Sequence, residues 1–427
     1  MEKINKLHLK YVAISVFCTA AILLLSGCGK VKEINDTAIV SGMTADIASG
    51  GAWQISAEVV NKFSSSDPKE AREIIWAEGS TLADALESCN FQDSRQIYFS
   101  HAKTLAVSRR LAESGIGPVL DYVMRNYKMR LSMNLLVWDP PGSQPASSLS
   151  SPSTGLAYLD LDEMIQTDSV YGACAPMRIY QAVNTLSQGG TQLAVPILSA
   201  AGDQSENRAV LAGTAVFRGD RMVGRLSRDE TLYLLLLQDH LQGAHLSLPE
   251  YQASFRIDKA RTSFRPGADG SSLAVDVKLE CALIQAPGPQ AAPEAPETAG
   301  AADESGGAGS VKIAEAAGSS LNIAEAAGSS VNIAEAAGGA GGAESAGIAG
   351  GAQSPARDAY GSFSRRALSR ELGRKVEESC CALIRKAQAM DADIFAFGKA
   401  MKGRPYRFHS LPVTVRCGVY LKLGEVH

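Results

Sequence analysis

The stretch Trp53-Gln54-Ile55-Ser56-Ala57-Glu58-Val59-Val60 decides the fold class of this 427-residue chain. Apolar and polar residues alternate along it, which is the two-residue period of a strand with one buried face. A second strand-like run, residues 34–44, precedes it, and residues 48–51 lie between the two as a turn. The sequence therefore predicts a hairpin of two adjacent strands, with Glu58 on the polar face of the second strand.

Helix and strand patterns continue downstream of this hairpin. Ser80 or Thr81 is placed to cap a helix whose apolar residues recur at helical spacing; they are Leu82, Ala85, Leu86 and Cys89. A strongly apolar strand is predicted over residues 96–108, a helix over 110–125 and another strand over 133–138. Pro140 and Pro141 end this unit.

Near the C-terminus, one apolar stripe predicts a helix of about twenty residues. Its members are Leu368, Leu372, Val376, Cys380, Leu383, Ile384 and Ala387. Such a helix must lie on a sheet or on another helix, and the alternating runs 274–284 and 413–423 are the expected sheet. The acidic-aromatic residues Asp391, Asp393, Phe395 and Phe397 are expected to close the helix and pack the next element.

Composition changes abruptly over residues 286–356, where Ala, Gly, Ser, Pro and Glu predominate. A ten-residue unit recurs three times there, beginning at Ser310, Ser320 and Ser330. The segment has too little apolar surface to offset the entropy of ordering, which favours a disordered insert over a stack of short helical turns docked on a partner. It holds eight carboxylates and, as its base, Lys312.

These patterns together predict an α+β protein with two to three mixed α/β domains, whose sheets are largely antiparallel or mixed. The expected division is a leader at residues 1–27, an N-terminal α/β domain at 28–200 and a C-terminal α/β region at 209–285 plus 357–427. The C-terminal region is left as one domain or two. The disordered insert at 286–356 interrupts it.

The first 27 residues have the pattern of a lipoprotein signal peptide. Lys3, Lys6 and Lys10 precede an apolar run over residues 11–25, which is shorter than the ~20 residues of a membrane-spanning helix. The run ends at Leu25-Ser26-Gly27-Cys28, where two small residues precede a thiol that can carry a diacylglyceryl group. The sequence therefore predicts lipidation of Cys28; a membrane helix with a bystander cysteine is the alternative.

No catalytic, metal or nucleic-acid motif is recognised in the chain. The remaining cysteines lack metal spacing, and the adjacent pair Cys380-Cys381 is interpreted as buried or half-buried free thiols. His101, two residues before Lys103, is interpreted as a surface or structural histidine of a strand. The formal net charge of −4, with no basic stripe, argues against nucleic-acid binding. A non-enzymatic protein without a cofactor is expected.

Several motifs in order make the chain resemble the Ger(x)C family, the C subunits of nutrient germinant receptors of endospore-forming bacteria. They are the lipobox, Glu33–Gly42 (EINDTAIVSG), Glu78–Thr81 (EGST), Tyr98–Lys103 (YFSHAK), Gly213–Phe217 (GTAVF), Asp220–Leu226 (DRMVGRL), Asp229–Thr231 (DET) and Ala387–Gly398 (AQAMDADIFAFG). The motifs from Gly213 to Thr231 are expected to form a short hairpin followed by a helix.

The resemblance implies a lipoprotein subunit on the outer face of the inner spore membrane. Its implied partners are an integral-membrane, transporter-like subunit and a second membrane subunit with a soluble domain. The resemblance assigns germinant binding to the transporter-like subunit rather than to this chain. The alternative is a solute-binding lipoprotein of an ABC importer, which would need strands and helices alternating throughout two doubly wound lobes.

Overall fold

The fold is described by a computed structural model, in which helices flank two β-sheets. The structure describes residues 2–25, 37–60, 72–140, 149–150, 156–201, 207–241, 243–268, 270–285, 365–401 and 406–422. Helix α1 (Glu2–Leu25) covers most of the predicted leader. Among the described helices, none combines the length and the apolar character that crossing a bilayer requires.

The first sheet is mixed, with a parallel centre and antiparallel ends. Its strands run in the order β10-β9-β8-β6-β5-β1-β2-β3, with β4 beside β1 and β7 beside β9. They are β1 (Thr37–Ile47), β2 (Trp53–Val60), β3 (Arg72–Gly79), β4 (Gln96–Tyr98), β5 (Thr104–Ser108), β6 (Asn134–Trp138), β7 (Leu149–Ser150), β8 (Ala194–Ala201), β9 (Asn207–Arg218) and β10 (Arg221–Leu226). The predicted β1–β2 hairpin is confirmed, because the two strands pair antiparallel around a turn that starts at Ala48.

Helices cover both faces of the first sheet. They are α2 (Leu82–Cys89), α3 (Arg109–Ser114), α4 (Gly117–Arg125), α5 (Ala157–Val170) and α6 (Ile179–Gln188). Successive residues of the central strands enter two separate cores, as Leu105 and Val107 join one and Ala106 joins the other. The predicted helix after Thr81 is confirmed, since the Thr81 hydroxyl accepts from the Asp84 amide at 3.1 Å.

Two predicted elements are each broken in two. The strand expected over residues 96–108 is interrupted by a 3₁₀ turn at Phe99–His101, so His101 lies in that turn rather than in a strand. The helix expected over 110–125 is interrupted between α3 and α4 at Gly115, whose φ of 125° is foreign to an α-helix. Each apolar pattern continued through its interruption because buried residues lie at or directly beside the turn, namely Phe99 and Ala102 in the first case and Ile116 in the second.

The second sheet has the order β11-β12-β13-β14. Its strands are β11 (Ala244–Leu248), β12 (Ala253–Pro266), β13 (Leu273–Gln285) and β14 (Val413–Lys422), with helices α7 (Arg228–Leu237), α8 (Arg365–Ala389) and α9 (Phe397–Ala400). The predicted C-terminal helix is confirmed as α8, whose seven stripe residues are all buried. Strands β13 and β14 pair as expected, and they are parallel.

The α+β class is confirmed by these two sheets and their helices. The second sheet is antiparallel across β11, β12 and β13, which is not the doubly wound lobe of a solute-binding protein. Pairing of β8 with β9 carries the first sheet past residue 200, to Leu226. The domain boundaries stay a prediction, and the insert at 286–356 lies outside the described residues.

Candidate functional site: a polar cleft beside the second sheet

A loop that follows α8 is organised around the buried carboxylate of Asp393. One oxygen, Oδ1, accepts from the Phe395 amide at 3.2 Å and from the Phe397 amide at 3.1 Å. The other, Oδ2, accepts from the Gly398 amide at 2.8 Å and from the Tyr406 hydroxyl at 2.9 Å. Burial raises the pKa of Asp393, and these four donors act in the opposite direction. The carboxylate therefore fixes the path of the backbone from Asp393 to Gly398.

Backbone and aromatic packing complete this loop. Ala396 has a φ of 62°, and a Cβ on Gly398 would collide with the Tyr406 hydroxyl. The Phe397 ring stacks on Phe395 at 5.0 Å between centroids and meets Phe264 of β12 edge-on at 5.1 Å. The acidic-aromatic segment thus closes α8 and packs the next element, as its sequence predicted, and it also anchors on the second sheet.

The same loop is bonded to two distant parts of the chain. The Asp393 carbonyl accepts from the Gln192 amide at 2.7 Å and from the Thr191 hydroxyl at 3.1 Å. The Ile394 carbonyl accepts from the Gln238 side chain at 2.8 Å. Because Thr191 and Gln192 lead into β8 and Gln238 ends α7, the loop joins the first sheet to the helix that precedes the second.

An open cleft of about 1010 Å³ lies where these elements meet. One wall is α6 with the segment that follows it, a second is the C-terminal end of α7, and the third is the edge of β12. The polar and charged side chains that line it are Ser169, Gln181, Asn184, Thr185, Gln188, Thr191, Gln192, Gln238, Asp239, His240, Asp258, Lys259, Arg261 and Lys399. Amides and hydroxyls prevail on the α6 wall, and apolar residues such as Met177, Leu235 and Phe264 line other parts of the cleft. The cleft therefore presents hydrogen-bonding groups and apolar surface in about equal measure.

The β12 wall is a strand edge that extends beyond its pairing with β11. β11 pairs with β12 over Ala253–Ile257, and Asp258–Arg261 and Phe264 of the continuing strand line the cleft. Asp239, with a φ of 58°, accepts from the Thr262 amide at 2.8 Å and lies 3.5 Å from the Arg261 guanidinium. An extended segment lying in the cleft would meet this strand edge on one side and the α6 amides on the other, which is a recurring mode of peptide recognition.

A buried carboxylate in the first sheet is the group that sequence reasoning missed. Glu58 of β2 is fully buried; its Oε1 accepts from the Ser41 hydroxyl at 2.5 Å and from the Tyr158 amide at 3.1 Å. Its Oε2 accepts from the Ala157 amide at 2.9 Å and lies 3.7 Å from the Arg72 guanidinium. Burial raises the pKa of Glu58, and the donors oppose that shift.

The position of Glu58 corrects the sequence prediction, which placed it on a polar strand face. Helix α5 lies over that face, and Glu58 supplies the acceptor that the first amides of α5 lack. Tyr158 of α5 also bonds through its hydroxyl to Thr44 of β1, so α5 is fixed to the sheet at two points. Glu58 is therefore a helix-capping residue. Because it lies on a strand about a hundred residues from the helix that it caps, no local sequence pattern predicts this role.

The motif residues between Gly213 and Thr231 stabilise the fold through close packing and hydrogen bonds. Gly213 in β9 has a φ of 131°, and a Cβ there would collide with the Leu226 carbonyl. Ser227 and Glu230 cap α7 reciprocally, at 3.1 and 2.7 Å. The buried hydroxyls of Thr214 and Thr231 bond at 2.9 Å. The expected short hairpin followed by a helix is confirmed as β9, β10 and α7.

The other residues that the sequence singled out as possible functional residues lie in separate parts of the chain. Leu25 ends α1, while Ser26, Gly27 and Cys28 lie outside the described residues. His101 is exposed, 5.6 Å from the Tyr98 ring. Cys380 is buried and Cys381 half-buried, as predicted, and both are free thiols. Across the described ranges, His, Cys, Asp and Glu side chains form no group able to hold a metal ion.

Comparisons with known proteins agree with one another. A model of the spore germination protein N-terminal domain matches residues 30–200, and a model of the spore germination B3/GerAC-like C-terminal domain matches residues 212–294. The chain is 24% identical over 275 residues to putative spore germination protein YfkR of Bacillus subtilis, covering 60% of this chain and 70% of that protein.

Two further relatives are more distant. The identity to spore germination protein KC of Bacillus subtilis is 20% over 203 residues, covering 45% of this chain and half the length of that protein. A crystal structure of the GerBC protein superimposes with a TM-score of 0.47 at 13% identity, covering 89% of this chain and 96% of the other.

Proposed function

The chain belongs to the Ger(x)C family of spore germination proteins, and from this membership we propose that it is a non-enzymatic, lipid-anchored subunit of a spore nutrient germinant receptor. Its role there is in receptor assembly or in signalling. The proposed location is the outer face of the inner spore membrane. The proposed partners are a transporter-like integral-membrane subunit, which binds the nutrient, and a second membrane subunit with a soluble domain.

The proposed anchor is a diacylglyceryl group on Cys28. Support comes from the basic start, the apolar run and the small residues Ser26 and Gly27 directly before the thiol. Each buried methylene of an acyl chain contributes ~0.8 kcal/mol to membrane attachment, so a diacylated protein stays on the bilayer. Anchoring restricts the protein to the membrane plane and raises its effective concentration beside its membrane partners.

The cleft is the proposed contact site for a receptor partner, and the β12 edge over Asp258–Arg261, with which β11 does not pair, is the observation that carries this assignment. An extended segment of a partner could pair with that edge while side chains meet the α6 amides. A cleft of this size that is open, and lined by polar and apolar surface in about equal measure, suits a peptide segment better than a small apolar ligand, whose sites are enclosed and mostly apolar.

A bulky cation in the cleft tests this assignment. Asn184→Arg places a long side chain on the exposed cleft wall of α6, so it should slow nutrient-triggered germination by obstructing the partner segment. Ser187→Arg is the matched control, because Ser187 is exposed on the same helix and does not line the cleft. Equal germination of the two variants, at equal protein levels in spore membranes, would contradict the cleft assignment.

Loss of the thiol tests the anchor separately. Cys28→Ala should leave the precursor without a diacylglyceryl group, displace the protein from the membrane fraction and slow germination. Mass spectrometry of the purified protein reads the acyl group directly. Acylation of the Cys28→Ala variant would rule out Cys28 as the lipid site.

A further inference from the structure

The face of the second sheet that points away from α8, which we call the outward face, is rich in exposed cations. Strand register assigns side chains to this face, because the alternate residues Val275, Val277 and Leu279 of β13 are buried on the α8 side. The exposed cations on the outward face are Arg256, Lys259, Arg261, Arg265, Lys278, Arg416 and Lys422, and the carboxylates are Asp258, Asp276 and Glu280. Cations therefore outnumber carboxylates there by four.

Each of the three carboxylates on the outward face forms an ion pair with a cation. Because the cations are more numerous, part of the positive charge stays uncompensated. Asp276 lies 2.5 Å from Arg265, Asp258 lies 2.9 Å from Arg256, and Glu280 lies 3.5 Å from Lys259. Lys422 approaches both Glu280, at 3.2 Å, and Asp258, at 3.7 Å. Arg261 is 3.5 Å from Asp239 of the cleft.

Lys278 and Arg416 lie on adjacent strands of this face, and within the described part of the chain neither forms an ion pair. Both are exposed. Side chains this long reach well beyond the sheet into solvent and can meet a charged surface without moving the backbone.

The outward face also carries an exposed aromatic side chain. Tyr420 on β14 is 66% exposed and stands between Arg416 and Lys422 along the same side of the strand. Gly418 separates Arg416 from Tyr420, and a Cβ at Gly418 would contact nothing within 4 Å. Tyrosine with flanking cations is the composition of protein surfaces that rest at a membrane–water interface.

We propose that the outward face lies against anionic phospholipid headgroups of the membrane that holds the protein. This inference rests on the proposed lipid anchor, because the eight residues between Cys28 and Thr37 reach at most ~28 Å when fully extended. A body held that close to a bilayer presents one of its faces to it. The excess positive charge of the outward face complements an anionic surface.

Lysine footprinting of the lipidated protein tests this proposal. The protein is reconstituted on vesicles of phosphatidylcholine alone or of an equimolar mixture with phosphatidylglycerol, and acetylation of each lysine is followed by mass spectrometry. On the anionic vesicles, Lys278 should be acetylated about fivefold more slowly, the factor expected from one cation near an anionic surface. Lys128, exposed beyond α4, is the internal reference and should not change. High salt should remove the difference.

Charge-reversal variants make the test specific to the outward face. Lys278→Glu with Arg416→Glu should abolish the protection of Lys422 on anionic vesicles. Arg366→Glu with Arg370→Glu changes the net charge equally on exposed positions of α8, which covers the opposite side of the sheet, and should leave that protection intact. Equal loss in both double variants would show a nonspecific charge effect and overturn the proposal.

Flotation separates failure of the anchor from failure of the outward face. A protein that floats with both vesicle types but shows equal acetylation of Lys278 on them retains its anchor and contradicts the outward-face contact. A protein that floats with neither contradicts the anchor. Protection of Lys278 without vesicles, lost on deletion of residues 286–356, would identify the acidic insert as the occupant and overturn the membrane contact.

Discussion

The four hydrogen bonds on Asp393 predict that Asp393→Asn destabilises the protein by roughly 3 kcal/mol. An amide side chain keeps the size of the carboxylate but offers one acceptor oxygen in place of two. If the amide nitrogen replaces Oδ2, the Tyr406 hydroxyl can rotate to accept, and the Gly398 amide alone loses its acceptor. If it replaces Oδ1, the amides of both Phe395 and Phe397 lose theirs.

The magnitude follows from the less costly orientation. One buried amide left without an acceptor costs ~1–3 kcal/mol, and replacing charged hydrogen bonds by neutral ones costs about 1 kcal/mol more. The assay is urea unfolding of the purified chain, followed by tryptophan fluorescence. Asp391→Asn is the matched control, because Asp391 lies two residues away, is exposed, and has a φ of 49° that asparagine tolerates.

The control should shift the free energy of unfolding by less than about 0.5 kcal/mol. If Asp393→Asn also stays within that margin of the wild type, the four contacts contribute nothing measurable and the prediction is wrong. A destabilisation common to both variants would indicate that the loop is sensitive to any substitution rather than to the Asp393 acceptors.

Two further predictions concern the buried acid and the insert. The pKa of Glu58 is raised above its ordinary value of 4.5, so the folded state holds the proton more tightly and this group's stabilising contribution is lost as pH rises through the folded pKa. The free energy of unfolding of the wild type minus that of Glu58→Gln should therefore fall as pH rises from about 4 towards neutrality; a difference that grows over this range contradicts the raised pKa. Deleting residues 286–356 should leave the melting temperature nearly unchanged, because loop-closure entropy depends weakly on length. A large drop measured by calorimetry would show that the insert stabilises the folded body.

Local patterns in the sequence identify the elements that have one buried face. The β1–β2 hairpin, the Thr81 cap and the α8 stripe each carry a period or a capping residue that a single segment displays. The pairing of β13 with β14 also follows from two alternating runs. In each case the residues of a single segment show by their spacing which face of the element is buried.

Contacts between distant segments cannot be predicted in this way. Glu58 is buried because α5, about a hundred residues downstream, lies on what the strand pattern marks as its polar face. The cleft joins α6, α7, β12 and the Asp393 loop, and the bond from Thr191 to the Asp393 carbonyl spans 202 residues. Its lining amides belong to no motif, so only the folded chain shows them together.

The most direct test of the proposed function is affinity purification of the lipidated protein from spore membranes, with mass spectrometric identification of what co-purifies. We expect an integral-membrane, transporter-like receptor subunit together with a second membrane subunit that has a soluble domain. Recovery of an importer permease and ATPase instead, or of no membrane subunit at all, would show that the proposed function is wrong.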